Sequence, residues 1–279
     1  MTRTTFIAAA LLFASSAWSH DLRVMGGKNV KVGDDVTVFI TYSHLEPVAE
    51  VVDAKQLENY LLISPSSSKL PLDKRKGASL HDATVKLEEK GVFQVVATTT
   101  ADVHTKIKGD DGKHRHVAGT KAQAKKANPT ASVVSAVKTQ QYAKTLIVAG
   151  RPERGPEASG LPFDIVPLDK PSEWKAGAKL RFQVLFNDKP LPNATLKASP
   201  LAFARKKSPV DATVKHERDE EEEWLQSKKT DRSGIAEIAV DEPGRWVFQV
   251  ERDADATPVN REQYDKENFV TSLTMEIRP

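Results

Sequence analysis

Asp35-Val36-Thr37-Val38-Phe39-Ile40-Thr41-Tyr42-Ser43-His44 is the stretch that decides the fold. Its even positions hold Val36, Val38, Ile40, Tyr42 and His44, while Asp35, Thr37, Thr41 and Ser43 on the odd positions are polar. A strand sends successive side chains to opposite faces, so this period of two predicts a strand with one face on a core and the other in water. His44 continues the inward row.

Similar short runs follow at Tyr60–Ile63, Ala83–Leu87, Val92–Thr98 and Gln141–Ala149, separated by Gly, Pro, Ser, Asp and Lys clusters that act as turns. Residues 105–139 differ: Lys106, Lys108, Lys113, Lys121, Lys125 and Lys126 stand among Gly, Asp and Ala, which predicts a long excursion from the sheets. Within it, alanine and lysine favour a short helix over Lys121–Ala127, closed by Pro129. Five prolines between Gly150 and Pro171 oppose both helix and central strand and mark residues 151–171 as a connection. Alternation then returns at Leu180, Phe182, Val184 and Phe186, ending at Asn187-Asp188. Asn193–Ala198, Ile235–Val240, Arg245–Glu251 and Phe269–Ile277 supply further strands, with Asp231-Arg232-Ser233-Gly234 and Glu242-Pro243-Gly244 as turns.

The expected fold is all-β, two immunoglobulin-like or prealbumin-like antiparallel β-sandwich domains in tandem, at residues 20–150 and 172–279. Arg205–Glu223 reads as a charged, solvated loop of the second domain. Its acidic run lacks the ligand spacing of a calcium site.

Composition removes several functions. The chain has no cysteine, which excludes disulfide scaffolds, thiolate metal sites and thiol redox chemistry. Lys and Arg number 41 and Asp and Glu 38, interleaved along the chain, which is no footprint for nucleic acid. There is no G-x-S-x-G elbow, no H-E-x-x-H helix and no phosphate-binding glycine loop, so the expectation is a protein without catalytic residues.

The amino terminus reads as an export signal over residues 1–19. Arg3 precedes an apolar run from Phe6 to Ala14, and Ala17 and Ser19 flank Trp18 in the pattern that signal peptidase accepts. The run is too short for a membrane span, so the expectation is a periplasmic protein with no membrane insertion after cleavage. Cutting after Ser19 leaves His20 first. An amino-terminal histidine carries an α-amine and an imidazole that together close a chelate ring on a borderline metal ion.

Histidines then become the candidate ligands. Six of the seven fall between positions 20 and 116. His114 and His116 form an H-x-H pair whose imidazoles share a face if the segment is extended, although Lys113 and Arg115 also suit a solvated basic loop. His44 reads equally as a ligand and as a hydrogen-bonded core residue. His104, between Asp102 and Lys106, fits exposure as well as coordination, and His81 before Asp82 is expected as a surface turn residue. A site of His20 and His44, joined by His104, His114 and His116, would be all nitrogen, which suits Ni(II), Cu(II) or Co(II) better than magnesium or calcium.

Several segments also resemble, in order, a family of periplasmic proteins of unknown function. They are His20-Asp21-Leu22, Tyr42-Ser43-His44, the Ala143-Lys144 strand ending at Gly150, and Phe163-Asp164-Ile165-Val166-Pro167-Leu168. Val184-Leu185-Phe186-Asn187-Asp188-Lys189-Pro190-Leu191, Thr230-Asp231-Arg232-Ser233-Gly234 and Pro243-Gly244-Arg245-Trp246 continue the series. That family is described as a periplasmic component associated with nickel or cobalt uptake, and some members stand beside energy-coupling-factor metal transporters. The resemblance implies that His20 and His44 match the family's leading and strand-terminal histidines. This chain departs from the family's pattern at Arg23-Val24-Met25-Gly26 and at Leu45-Glu46-Pro47.

The functional expectation is capture of a transition metal, nickel first and cobalt or copper as alternatives, and its presentation to a membrane uptake transporter. The competing expectation is an exported scaffold or adhesion-like module that binds protein or glycan, its histidines incidental. A copper oxidase built on the amino-terminal histidine is a third reading, and no substrate face supports it.

Overall fold

The computed structural model describes residues 21–27, 30–43, 52–74, 81–201 and 224–279. Positions 1–20, including the expected export signal and His20, lie outside them, as do His44 and the charged stretch Arg205–Glu223.

In chain order the strands are β1 (Asp21–Met25), β2 (Asp35–Ser43), β3 (Leu57–Ile63), β4 (Lys69–Pro71), β5 (Asp82–Lys86), β6 (Gly91–Thr99), β7 (Asp102–Lys108) and β8 (His114–Ala118). Helix α1 (Lys121–Ala127) leads to the 18-residue β9 (Ser132–Ala149) and then β10 (Phe163–Pro167), β11 (Ala178–Phe186) and β12 (Lys189–Pro190). The chain closes with β13 (Thr195–Pro200), β14 (Gln226–Lys229), β15 (Ile235–Val240), β16 (Gly244–Asp255) and β17 (Lys266–Ile277).

These strands make three layers. The central sheet runs β14-β13-β16-β17-β9-β6-β3-β4, with β7 on the first half of β9 and β8 on β7. One outer sheet is β1-β2-β5, and the other is β11 flanked by β10, β12 and β15. The alternating row Leu22, Val24, Val36, Val38 and Ile40 packs on Tyr60, Leu62, Phe93, Val95, Ala97, Ala143 and Ile147 of the central sheet. The opposite face of those central strands, Ile63, Val92, Val96, Tyr142 and Leu146, joins Phe163, Ile165, Leu180, Phe182 and Val184 of the second outer sheet. Strand β6 is therefore buried along its whole length, which is why its sequence is nearly continuous in apolar residues where β2 alternates.

The all-β sandwich expected from the pattern is the architecture found, but the halves are not separate sheets. Strands β9 and β17 pair in parallel from Lys266↔Val137 to Thr274↔Thr145, so one sheet runs through both. Residues 151–171, expected as a connection, contribute β10, which pairs only with β11, an edge position that tolerates Pro167. Residues 105–139, expected as an excursion, carry most of β7, all of β8 and the start of β9 besides the predicted helix. Helix α1 opens on a capping box in which the Thr120 side chain accepts from the Gln123 amide and Gln123 returns to the Thr120 amide.

Two groups of polar contacts fix the layers. Lys144 Nζ on β9 meets Asp164 Oδ1 on β10 at 2.5 Å, each side chain 1% exposed, while Ser159 donates to Asp164 Oδ2 from both its amide and its hydroxyl at 2.8 Å. On the other face, β1 has a ladder partner, β2, on one edge among the described residues, and side chains of the central sheet satisfy its other edge. Gln141 Oε1 accepts from the Leu22 amide at 2.7 Å, Ser272 Oγ donates to the Leu22 carbonyl at 2.7 Å, and Thr274 Oγ1 donates to the Val24 carbonyl.

Candidate functional site

The β7–β8 hairpin places three of the expected ligands together. Ile107 packs with Ala124 and Ala131 beneath α1, beside Val117 and Val133, and Val103 packs on Ala136, Ala256 and Tyr264. With that row buried, the alternate row, Asp102, His104, Lys106 and Lys108, faces the other way. The register His104↔Ala118, Lys106↔His116 and Lys108↔His114 then puts all three histidines and two lysines on one face. The H-x-H reading required extended structure over Lys113–Val117, and β8 supplies it from His114 onward.

Electrostatics on this face are mixed. His104 Nε2 lies 3.4 Å from Asp102 Oδ2, both side chains about half exposed. Partial burial lowers the His116 pKa below its ordinary value, and Lys106, His104 and His114 add repulsion. At the hairpin tip, Arg115 pairs with Asp111 at 2.5 Å and holds that carboxyl below the usual range. Among the described residues no group of three or more His, Cys, Asp or Glu side chains is disposed to hold a metal ion.

The histidine-bearing side of the hairpin and β1 face the same side of the central sheet. Asp102 stands opposite Thr139 and His104 opposite Val137, and these share one parity along β9 with Gln141, whose side chain meets β1. Strand β1 runs along β9, with Leu22 at Gln141 and Gly26 against Thr145 and Ile147. Asp21 is thus the end of β1 nearer Thr139. Its ladder partner is Ser43, the last rung of the β1–β2 pair. His20 and His44 are the residues bonded to the two members of that rung.

A family model described as "Domain of unknown function (DUF4198)" matches residues 17–254. The chain belongs to that family. The DUF4198 segment takes in β1, β2 and the histidine hairpin and stops short of β17. No curated protein matches the chain. A solved structure described as "D0-D1 domain of Intimin" aligns over 93% of this chain and 98% of its own length, at 14% identity and a TM-score of 0.21.

Within the DUF4198 segment one residue departs from its sequence reading. His81, expected in a surface turn, is fully buried. It directly precedes β5, whose rung Phe39↔Asp82 places it beside Ile40, and the Ile40 amide donates to its carbonyl at 3.3 Å. The signal was legible: His81, Ala83, Val85 and Leu87 share one parity, and Val85 and Leu87 are core. Its Nε2 lies 2.7 Å from the Val52 carbonyl, and Nδ1 meets no hydrogen-bond partner among the described residues.

Proposed function

We propose that the protein is an exported, periplasmic carrier that holds one transition-metal ion, nickel first and cobalt or copper as alternatives, and presents it to a membrane uptake transporter without chemical turnover. The observation that carries this reading is the rung Asp21↔Ser43. The two histidines with the best claim as ligands are covalent neighbours of its two members. The α-amine and imidazole of His20 supply a chelate, and His44 supplies a second imidazole. His104, His114 and His116 lie beyond the Asp21 end of β1 on the same sheet face and form the flank from which further nitrogens are recruited. An all-nitrogen set favours nickel, copper or cobalt over hard cations.

The test is calorimetric titration of Ni(II), Co(II) and Cu(II) into protein exported with its native terminus, and into a form with one glycine added before His20. Displacing the amine from the imidazole removes the chelate, and binding weakens by more than about tenfold. Equal affinities for the two forms contradict the reading.

A further inference from the structure

We propose that the tip end of the lobe formed by β7, β8 and α1 docks on a membrane surface of anionic phospholipid headgroups, an inference that does not depend on metal carriage. The lobe, Asp102–Ala127, concentrates positive charge. Seven Lys and Arg there oppose three acids, Asp102, Asp110 and Asp111, a net of +4 with histidines neutral. The whole chain carries +3, which leaves the remainder at −1. Most of the lobe's charge is free. Arg115 pairs with Asp111 and Lys121 with Asp265, both at 2.5 Å. Lys106, Lys108, Lys113 and Lys126 have no acidic partner among the described residues, and Lys125 donates only to the Ala131 carbonyl, at 2.8 Å.

The free cations meet at one end. Lys108 and Lys113 flank the β7–β8 turn, where the Gly109 amide donates to the Lys113 carbonyl at 3.0 Å, and Lys125 and Lys126 stand in the last turn of α1. Those two places adjoin, since Gly109, Asp111 and Arg115 line one recess with Ala127 and Asn128. All four lysines are exposed, with Asp110 the acid left to oppose them. Behind them Ile107 packs on Ala124 and Ala131, and the Lys121 amide donates to the Gln263 carbonyl at 3.0 Å, so the tip is presented on a fixed base. A protein partner needs an apolar centre from which water is expelled. Val134 is the only large apolar side chain exposed on or beside this lobe among the described residues, and ammonium groups on long stems respond to a field rather than a shape. An anionic bilayer supplies such a field, and each lysine near it strengthens binding about fivefold.

The test is flotation of metal-free, full-length processed protein with vesicles of phosphatidylglycerol in phosphatidylcholine, and with vesicles of phosphatidylcholine alone. Wild type should bind only the anionic vesicles. Raising salt from about 0.1 M to about 1 M should release it, because the screening length falls from about 10 Å to about 3 Å. The triple variant Lys108→Gln, Lys113→Gln, Lys126→Gln removes three free, exposed cations and should bind about 100-fold more weakly. A second triple variant, Lys189→Gln, Lys228→Gln, Arg232→Gln, removes the same charge from β12, from β14 at the end of the central sheet and from the turn after it, and should bind as wild type does. Equal weakening in the two variants means that net charge and not the lobe governs, and overturns the proposal. Wild type that ignores anionic vesicles overturns it too. Polyglutamate that strips the protein from the vesicles at matched charge concentration would overturn the lipid assignment in favour of an acidic protein. Because no metal is present, each of these outcomes leaves the carrier proposal standing or falling on its own titrations.

Discussion

Ser272 Oγ donates to the Leu22 carbonyl across 2.7 Å, so a hydroxyl from the last strand holds the first one in place. Among the described residues strand β1 has a neighbouring strand on one edge, and Gln141, Ser272 and Thr274 do for its other edge what a ladder would. The start of β1 is thereby fixed against β9 and β17, strands drawn from both halves of the chain.

Removing one of these hydroxyls orphans a buried carbonyl. Ser272→Ala should cost about 1–3 kcal/mol, read from the urea midpoint at unchanged m-value. A variant as stable as wild type would mean that β1 does not depend on this bond.

The Lys144–Asp164 pair is buried without access to water, so losing one member leaves a charge without its counter-ion, held by neutral hydrogen bonds alone. Lys144→Met alone or Asp164→Leu alone should each destabilise by about 3–5 kcal/mol, while the double variant recovers most of that loss. Additive losses in a double-mutant cycle would show that the two side chains act independently.

Much of this fold was legible because one-sided strands advertise themselves. In β2 the buried Val36, Val38 and Ile40 alternate with exposed Asp35 and Thr37, and β11 ends in a two-residue turn whose Asn187 and Asp188 adopt φ of 51° and 59°, as its sequence demands. Strand β1 was silent because all five of its residues are buried, Asp21 and Arg23 included, with Arg23 donating to Asp21 at 3.3 Å. Asp21-Leu22-Arg23-Val24 does alternate, but over only five residues. The parallel β9–β17 pairing joins residues about 130 positions apart with no turn to signal it, and the first half of β9 reads as polar because it lies outside the main core. The hairpin histidines followed from the H-x-H spacing, whereas the burial of His81 showed only in the parity it shares with Ala83, Val85 and Leu87.

Protonation of His116 is opposed by ring burial, by Lys106 and by the two neighbouring histidines, with Asp102 the acidic group on the same face. A histidine whose folded pKa is depressed binds protons more readily in the unfolded chain. Its contribution is present above the unfolded value of about 6.5 and is lost as pH falls through the folded value. A proton-detected titration should place the His116 midpoint below that of an unfolded peptide, and Lys106→Ala should raise it. A midpoint insensitive to Lys106 would contradict the shared face.

Metal binding by an amine and imidazoles must compete with protons. Given ordinary values of about 6.5 for imidazole and about 7.7–8.0 for an α-amine, Ni(II) affinity should fall by at least about 100-fold between pH 8 and pH 6. Affinity flat across that interval would point to carboxylate ligands.

The most direct measurement is the nickel K-edge X-ray absorption spectrum of protein processed in the cell and loaded with one equivalent of Ni(II). The account predicts a first shell of nitrogen donors with the outer-shell scattering of at least two imidazole rings, lost in part when a glycine precedes His20. A shell of oxygen neighbours without imidazole scattering, indistinguishable from nickel in buffer, would contradict it.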